Sequence, residues 1–515
     1  MKRFSRTQWS VSVAMAAFIG LGLAQAPATA APLPVLPPTP AGAPLAQALR
    51  TLTTFITDHC AGVTSSDPGL YSVCVQAAEQ IGIDAYTYGI APMEFLHQRQ
   101  QQTSVTVPND LSDAPLNQFG SARNLATADP NHQVFVQPNT DTLYTMAHLS
   151  LSAQPLVLRV PAVARNRYYV LQFLDPCTNV FAYVGTRVTG TGAGTYLIAG
   201  PRWRGAVPRG ATLIRAPYDR IWIAGRTLVN GAADLPTVHR IQDGFRLIPL
   251  SGWLRQGTAW RPAAPRTVIT RHASVPRPVG LRFFDILGDV LRQSPPPAAD
   301  GAVLAELRKV GIGAGLHPST EKLSPAIKAG LAAAGNEGRA RLSDGRTTYG
   351  VPSVLAHHGW FVPPADTGAF GTDYTWRALV AVFGLAANRP AEAVYVVGTT
   401  DQFSKKLDGS RSYRIHFAAG ALPPARYFWS LTMYDANYYL VPNRLHRYAL
   451  GNRSPLHYNA DGSLDLFLGA TAPAGHEANW LPSPASGALE VTLRLYGPSA
   501  AVLNDTYTYP TITST

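Results

Sequence analysis

The residues most able to do chemistry lie where runs of β-type sequence end. Asn139-Thr140-Asp141-Thr142 precedes Leu143-Tyr144, and Asp175 stands just before Pro176 at the close of Tyr168-Tyr169-Val170-Leu171-Gln172-Phe173-Leu174. Short polar residues at such points either close a turn through side-chain to backbone hydrogen bonds or project into a cleft. In the second case Asp141 and Asp175 are the acid and base candidates, with Asn139 and Tyr144 beside them as ligand contacts. Two carboxylates facing one bond are the apparatus of glycoside cleavage, since one donates a proton while the other attacks or activates water. Arg187, in Gly185-Thr186-Arg187, either pairs internally with Asp141 or Asp175 or grips an anionic group on a ligand. In the C-terminal part, Trp429, Tyr434, Asp435, Asn437 and Arg447 combine aromatic, amide and charged groups. Alternation along a strand would turn half of these aromatics inward and leave the rest as a face suited to stacking a sugar ring.

Other chemistries find little footing. His357 and His358 are adjacent and on a strand would point apart, and His476-Glu477 lacks the second histidine of a helical zinc motif. No metal site is expected. There is no Gly-x-Ser-x-Gly elbow, dinucleotide fingerprint or phosphate loop, so no cofactor is expected either. Cys60 and Cys74 form the natural disulfide pair, and Cys177 reads as a buried thiol, with a nucleophilic role as its alternative.

The elements that must position these residues follow from composition and periodicity. The chain has 515 residues, 46% hydrophobic and 14% charged, with 43 prolines and 44 glycines. Such a chain builds large cores, and its many breakers favour turns and short strands over long helices. Its formal charge is +12, of which Lys2, Arg3 and Arg6 contribute three. They open a secretory leader: a charged start, an apolar run from Val11 to Leu23, and the small-residue site Ala28-Thr29-Ala30. Residues 1–30 are read as signal peptide and 31–44 as a Pro- and Ala-rich linker, giving an exported, periplasmic or extracellular protein without a transmembrane segment. The basic residues come singly among apolar ones, which argues against nucleic acid as a partner and leaves a glycan or an anionic small molecule. A homo-oligomer is compatible with this composition.

Helical spacing marks 45–60, about 75–97, stretches between 280 and 335, and 373–388. Short β-type runs fill 133–230, beginning with Gln133-Val134-Phe135-Val136-Gln137, and return after Ala393. The absence of helical crossovers excludes a parallel doubly wound sheet.

Pro138-Asn139-Thr140-Asp141-Thr142-Leu143-Tyr144, Arg167-Tyr168-Tyr169, Leu174-Asp175-Pro176 and Gly185-Thr186-Arg187 resemble the DUF1254 domain. Tyr427 to Asp435, Arg447-Tyr448, Asp461-Gly462-Ser463 and Asn479-Trp480-Leu481-Pro482 resemble its usual partner, the DUF1214 domain. The resemblance covers most of the chain after the leader, with Cys177 after Asp175-Pro176 a departure from the pattern. It implies two antiparallel β-sandwich domains, the second jelly-roll-like, in a mainly β, α+β chain. A DUF1254-like domain is expected over 45–270, a helical connection over 271–372 and a DUF1214-like domain over 373–515. Function is thereby narrowed to three readings: an exported enzyme cleaving a glycan or other hydroxyl-rich substrate by hydrolysis or elimination, a non-catalytic binding or surface-assembly protein, or a secreted small-molecule enzyme.

Overall fold

A computed structural model describes residues 34–37, 44–129 and 136–515. The leader expected over 1–30, most of the linker and the start of the 133–137 run lie outside the described residues.

The chain opens with helices α1 (Leu45–His59) and α2 (Pro68–Gln102). Strands β1 (Gly120–Ser121), β2 (Thr142–Ser150), β3 (Leu156–Val160), β4 (Tyr169–Leu174), β5 (Val180–Gly185), β6 (Gly194–Ala199), β7 (Thr212–Arg215) and β8 (Arg220–Leu228) follow. After α3 (Leu235–Gly244), β9 (Arg246–Pro249) and α4 (Leu250–Gln256) come helices α5 (Leu281–Gln293), α6 (Gly301–Arg308) and α7 (Pro325–Ala356). The last part contains β10 (Trp360–Phe361), α8 (Tyr374–Phe383), β11 (Ala393–Gly398), β12 (Tyr413–Phe417), β13 (Ala425–Asp435), β14 (Ala449–Gly451), β15 (Leu464–Gly469), β16 (Trp480–Pro482), β17 (Leu489–Pro498), α9 (Ala500–Leu503) and β18 (Ile512–Ser514).

Each half forms a two-sheet sandwich. In the first, the sheet β1-β2-β8-β4-β5 packs on β7-β6-β3-β9 through a core that includes Leu149, Leu158, Leu171, Phe173 and Ile223. In the second, β10-β11-β17-β13-β14 packs on β16-β15-β12-β18 through Trp429, Leu431, Leu466, Leu493 and Ile415. Pairing is antiparallel apart from β6 with β7 and β15 with β16. The mainly β, α+β expectation therefore holds. The two five-stranded sheets also meet each other, since Tyr168, Val170 and Leu228 of the first pack on Phe428 and Tyr496 of the second. Both are thus buried on two faces, and β17 has no exposed residue at all.

The expectation of short elements fails at α2 and α7, which run for 35 and 32 residues. Both start as the sequence allows, with Pro at the first turn and with Asp67 and Ser324 accepting from the backbone N–H of Leu70 and Ile327. The glycines of α7 do not break it because they meet α2 at close range. A Cβ on Gly330 would fall 2.3 Å from the Val75 carbonyl, and one on Gly82 of α2 would fall 2.4 Å from the Ala334 methyl. Small residues here permit contact between backbones, and the buried packing offsets the roughly 1 kcal/mol helix cost of each glycine. The two helices join α1, α5, α6 and α8 in one apolar core, so the helical opening and the later helical stretch form one layer.

Cys60 and Cys74 are disulfide-bonded across a separation of 14 residues, tying α1 to α2. Replacing Cys74 with Ser should lower stability by about 3 kcal/mol in the chain-entropy model. Thermal melting should show a lower midpoint for C74S than for the oxidised wild type, and added reductant should move only the wild type.

Candidate functional site

A cavity of about 820 Å³ lies where the helical layer covers the junction of the two five-stranded sheets. Its floor comes from alternate residues of central strands. On β2 and β8 these are Tyr144, Met146, Trp222 and Arg226; on β17 they are Glu490, Thr492, Arg494 and Tyr496. Period-two alternation sends Leu489, Val491, Leu493 and Leu495 into the sandwich core and the polar set to the opposite face. Helices supply much of the rest: Glu94 and His97 from α2, Arg339, Arg346 and Tyr349 from α7, and Trp376, Leu379, Val380 and Phe383 from α8.

The ionic arrangement is uneven. Glu94 accepts from Arg277 at 2.8 and 2.9 Å and from Arg339 at 2.7 Å. Burial acts against its charge, but the two guanidinium groups hold the carboxyl below its ordinary value. Glu490 accepts from Arg346 at 3.2 Å and from the Gln137 amide, and Arg346 also lies against the rings of Tyr438 and Phe383. Arg226 and Arg494 are 7% and 3% exposed. Arg226 donates to Gln172 Oε1 and the Ala386 carbonyl, each at 2.9 Å, beneath the Tyr144 ring. Arg494 donates to Thr432 Oγ1 at 2.7 Å, the Gln137 carbonyl at 2.9 Å and Tyr434 Oη at 2.6 Å. Among the described residues no carboxylate comes within ion-pair distance of either. Beside them the Tyr496 hydroxyl and Thr492 Oγ1 are buried without a partner.

His97 places Nε2 2.8 Å from the Val275 carbonyl, which requires a proton on that nitrogen. Burial, followed by the nearby Arg277, pushes its pKa below the ordinary value, so it is neutral near pH 7. Among the described residues no group of three or more His, Cys, Asp or Glu side chains is arranged to hold a metal ion.

The residues singled out from sequence scatter around this cavity. Asn139, Tyr144 and Asp435 line it. Asn139 also does the turn-closing work, its Oδ1 accepting from the Asp141 and Thr142 backbone and from Thr142 Oγ1, while its amide donates to Tyr144 Oη at 2.6 Å. Asp435 caps the following turn through the Asn437 and Tyr439 N–H groups, and Asn437 is exposed. Trp429 lies in the second sandwich core, and Tyr434 is buried behind Arg494 with its hydroxyl donating to the Pro138 carbonyl at 2.7 Å. The expected exposed aromatic face is therefore absent there, because the sheet is covered on both sides. Arg447 donates to the carbonyls of Glu477 and Trp480 and braces β16.

Asp141 and Asp175 are not brought together. Thr142 pairs with Leu228 and Leu174 with Trp222, six residues apart along β8. The two carboxylates thus stand at opposite ends of the sheet, roughly 20 Å apart at ~3.3 Å per residue. Asp141 accepts from Ser430 Oγ at 2.6 Å and from Arg453, whose other nitrogen reaches the Val229 carbonyl at 2.6 Å. It clasps the two sandwiches. Asp175 caps its own turn, accepting from Asn179 N and Nδ2 at 2.9 and 3.1 Å. Arg187 pairs with Glu392, at 2.5 Å, rather than with either aspartate. His357 and His358 end α7 instead of lying on a strand, and Cys177 is buried, its thiol pushed up to about 12 by that burial.

Residues 116–249 match the family model described as "Protein of unknown function (DUF1254)", and 392–500 match "Protein of unknown function (DUF1214)". The chain carries a DUF1254 domain followed by a DUF1214 domain. Arg226 lies in the DUF1254 match and Arg494 in the DUF1214 match, while α2, α7 and α8 lie outside both. The VPA0106 protein of Vibrio parahaemolyticus is 22% identical, covering 85% of this chain and all of its own, with a TM-score of 0.59, and so shares the fold. A putative uncharacterized protein from Burkholderia cenocepacia is 11% identical over 90% of this chain and 98% of its own, with a TM-score of 0.41. No curated protein matches the chain.

Sequence reasoning passed over Arg226 and Arg494, although both stand in plainly apolar strands. An arginine at an inner position of a strand otherwise rich in apolar residues is the available signal.

Two outcomes follow from the aspartates. Asp141→Asn should cost about 2 kcal/mol in urea denaturation, because the buried Asp141 carboxylate loses its charge-assisted hydrogen bonds with Ser430 and the part-exposed Arg453. Burial pushes the Asp175 carboxyl up to about 6, with Asn179 opposing the rise. The native state then holds this proton more tightly than the unfolded chain, so its contribution is complete below the ordinary value of 3.8 and is lost as pH rises through about 6. Relative to Asp175→Asn, wild-type stability should fall by about 2 kcal/mol between pH 4 and pH 7, measured by denaturation at each pH.

Proposed function

We propose that the central cavity of this DUF1254/DUF1214 protein binds a small organic anion, with Arg226 and Arg494 as its anchors. One observation carries the reading: two buried guanidinium groups line one cavity with no carboxylate within ion-pair distance of either among the described residues, Glu490 on the same strand face as Arg494 being bonded to Arg346 and Gln137 instead. Burying an unpaired charge costs several kcal/mol, and an incoming anion offsets that cost. Carboxylate and phosphate oxygens match the planar donor fork of arginine, and the unpartnered Tyr496 and Thr492 hydroxyls are further donors beside it. Over the whole lining Arg226, Arg277, Arg339, Arg346, Lys406 and Arg494 outnumber Glu94, Asp435 and Glu490, so the field favours entry of negative ligands.

This reading falls between the small-molecule enzyme and the binding protein. Cleavage of a glycan by Asp141 and Asp175 lacks support, since the two cannot reach one bond, and inverting enzymes need their carboxyl groups within about 9.5 Å. Work outside the cytoplasm remains part of the proposal. It is supported by the leader-like sequence and by the Cys60–Cys74 disulfide, and no helix among the described residues is long and apolar enough to cross a membrane.

Calorimetric titration of the purified full chain with acetate, benzoate, glucuronate and inorganic phosphate tests it. Saturable binding is expected for at least one of these anions, weakened at least about tenfold by Arg226→Gln and by Arg494→Gln. Arg226→Lys, which keeps the charge but loses the fork, should fall between. Binding unaffected by all three folded variants, or none with the wild type, would overturn the assignment.

A further inference from the structure

The cavity has a second chemical character that the anion site does not use. Opposite the arginines its wall is apolar, formed by α7 and α8, with Trp376 stacked on Tyr349 at 5.7 Å and 3° and flanked by Phe361 at 5.6 Å. Leu379 and Val380 continue that wall. It does not stop at the rim. Val351 and Val354 line the cavity from the last turns of α7, and Val351 is already 45% exposed. One turn on, Leu355 is 66% exposed, as is Phe403 in the loop after β11. Val351 and Leu355, one turn apart on α7, carry this apolar character from the cavity lining to exposed surface.

We infer that the ligand is a linear-chain monocarboxylate whose head group meets Arg226 and Arg494 and whose alkyl chain runs along the α7–α8 wall toward Leu355. The inference rests on the anion-binding reading and adds the chemical class. Three features choose it over other organic anions. A sugar acid would set its hydroxyls against the Trp376, Leu379 and Val380 wall, where they would be stripped of water without partners. Inorganic phosphate would fill only the floor of a space of about 820 Å³. A compact aromatic acid would leave the outer strip at Val351 and Leu355 uncovered, whereas a flexible chain buries it one methylene at a time. A fatty acid in solution and one released from a membrane lipid present the same chemistry, so the carboxylate and the chain are what the site reads.

The test is a chain-length series on the unmodified full-length protein: butanoate, octanoate, dodecanoate and hexadecanoate, each below its aggregation concentration. Binding is followed by calorimetry and by the fluorescence of the tryptophans. Affinity should rise about fourfold per added methylene while the wall is being covered, at about 0.8 kcal/mol per methylene, and then level off. Glucuronate should bind at least a hundredfold more weakly than dodecanoate. Val351→Ser and Leu355→Ser, neutral changes at exposed positions that do not threaten the fold, should weaken hexadecanoate at least about fivefold and leave butanoate, too short to reach them, unchanged. Micelle-free dodecyl alcohol, which lacks the carboxylate, should bind at least tenfold more weakly than dodecanoate. Binding that depends on Arg226 but ignores chain length, or that favours glucuronate, would sink the alkyl-chain inference and leave the anion site standing. Chain-length dependence with no loss on replacing Arg226 or Arg494, or equal binding of the alcohol, would sink the anion site. Absence of binding by every member would sink both.

Discussion

Two guanidinium groups buried without counter-ions are the constraint around which the central part of this protein is arranged. Arg226 and Arg494 are held by neutral acceptors: an amide oxygen, a threonine and a tyrosine hydroxyl, and backbone carbonyls. Those bonds orient the charges without neutralising them. Because the two residues come from different sandwiches, their position requires the sandwiches to be fixed relative to each other. Asp141 with Ser430 and Arg453, and Glu392 with Tyr168 and Arg187, provide that fixation. The glutamates of the cavity, Glu94 and Glu490, are committed to Arg277, Arg339 and Arg346 rather than to these two arginines.

The helical layer gives this floor a roof. Close approach of α2 and α7 depends on Gly82, Gly330 and Ala334, and it brings Glu94 and Arg339 onto one edge of the cavity. Further along α7, Arg346, Tyr349 and Val351 pass from the ionic side to the apolar side. One continuous helix therefore carries both characters, because successive turns of a long helix cross different neighbours. The result is a cavity polarised from a cationic floor to an apolar wall, built from both matched domains and from helices that lie outside them.

Several readings from sequence survive in this arrangement and others do not, for identifiable reasons. The DUF1254 and DUF1214 signatures, the α+β class and the Cys60–Cys74 pair are carried by local patterns and were legible. Asn139 and Tyr144 line the cavity from the turn and strand that the local pattern marks. Asp175 looked the same from sequence and is a turn cap, because whether a strand-end carboxylate faces a cleft or its own backbone depends on the next few backbone dihedrals. The aromatic residues of β13 suggested an open face, yet Tyr434 is sealed by the other sandwich.

By itself, the sequence determined where most strands and helices begin, which residues alternate along each strand, and which two cysteines join, though not the full length of α2 and α7. These depend on neighbours within one or two turns, where periodicity and capping act. Tertiary structure alone decided what the second face of each five-stranded sheet meets. Alternation separates Arg494 from Leu493 and Leu495 but cannot say whether the arginine meets water, a carboxylate or a cavity. That answer required β8, β17, α2, α7 and α8 to converge, and contacts between segments hundreds of residues apart leave no periodic trace in any one of them.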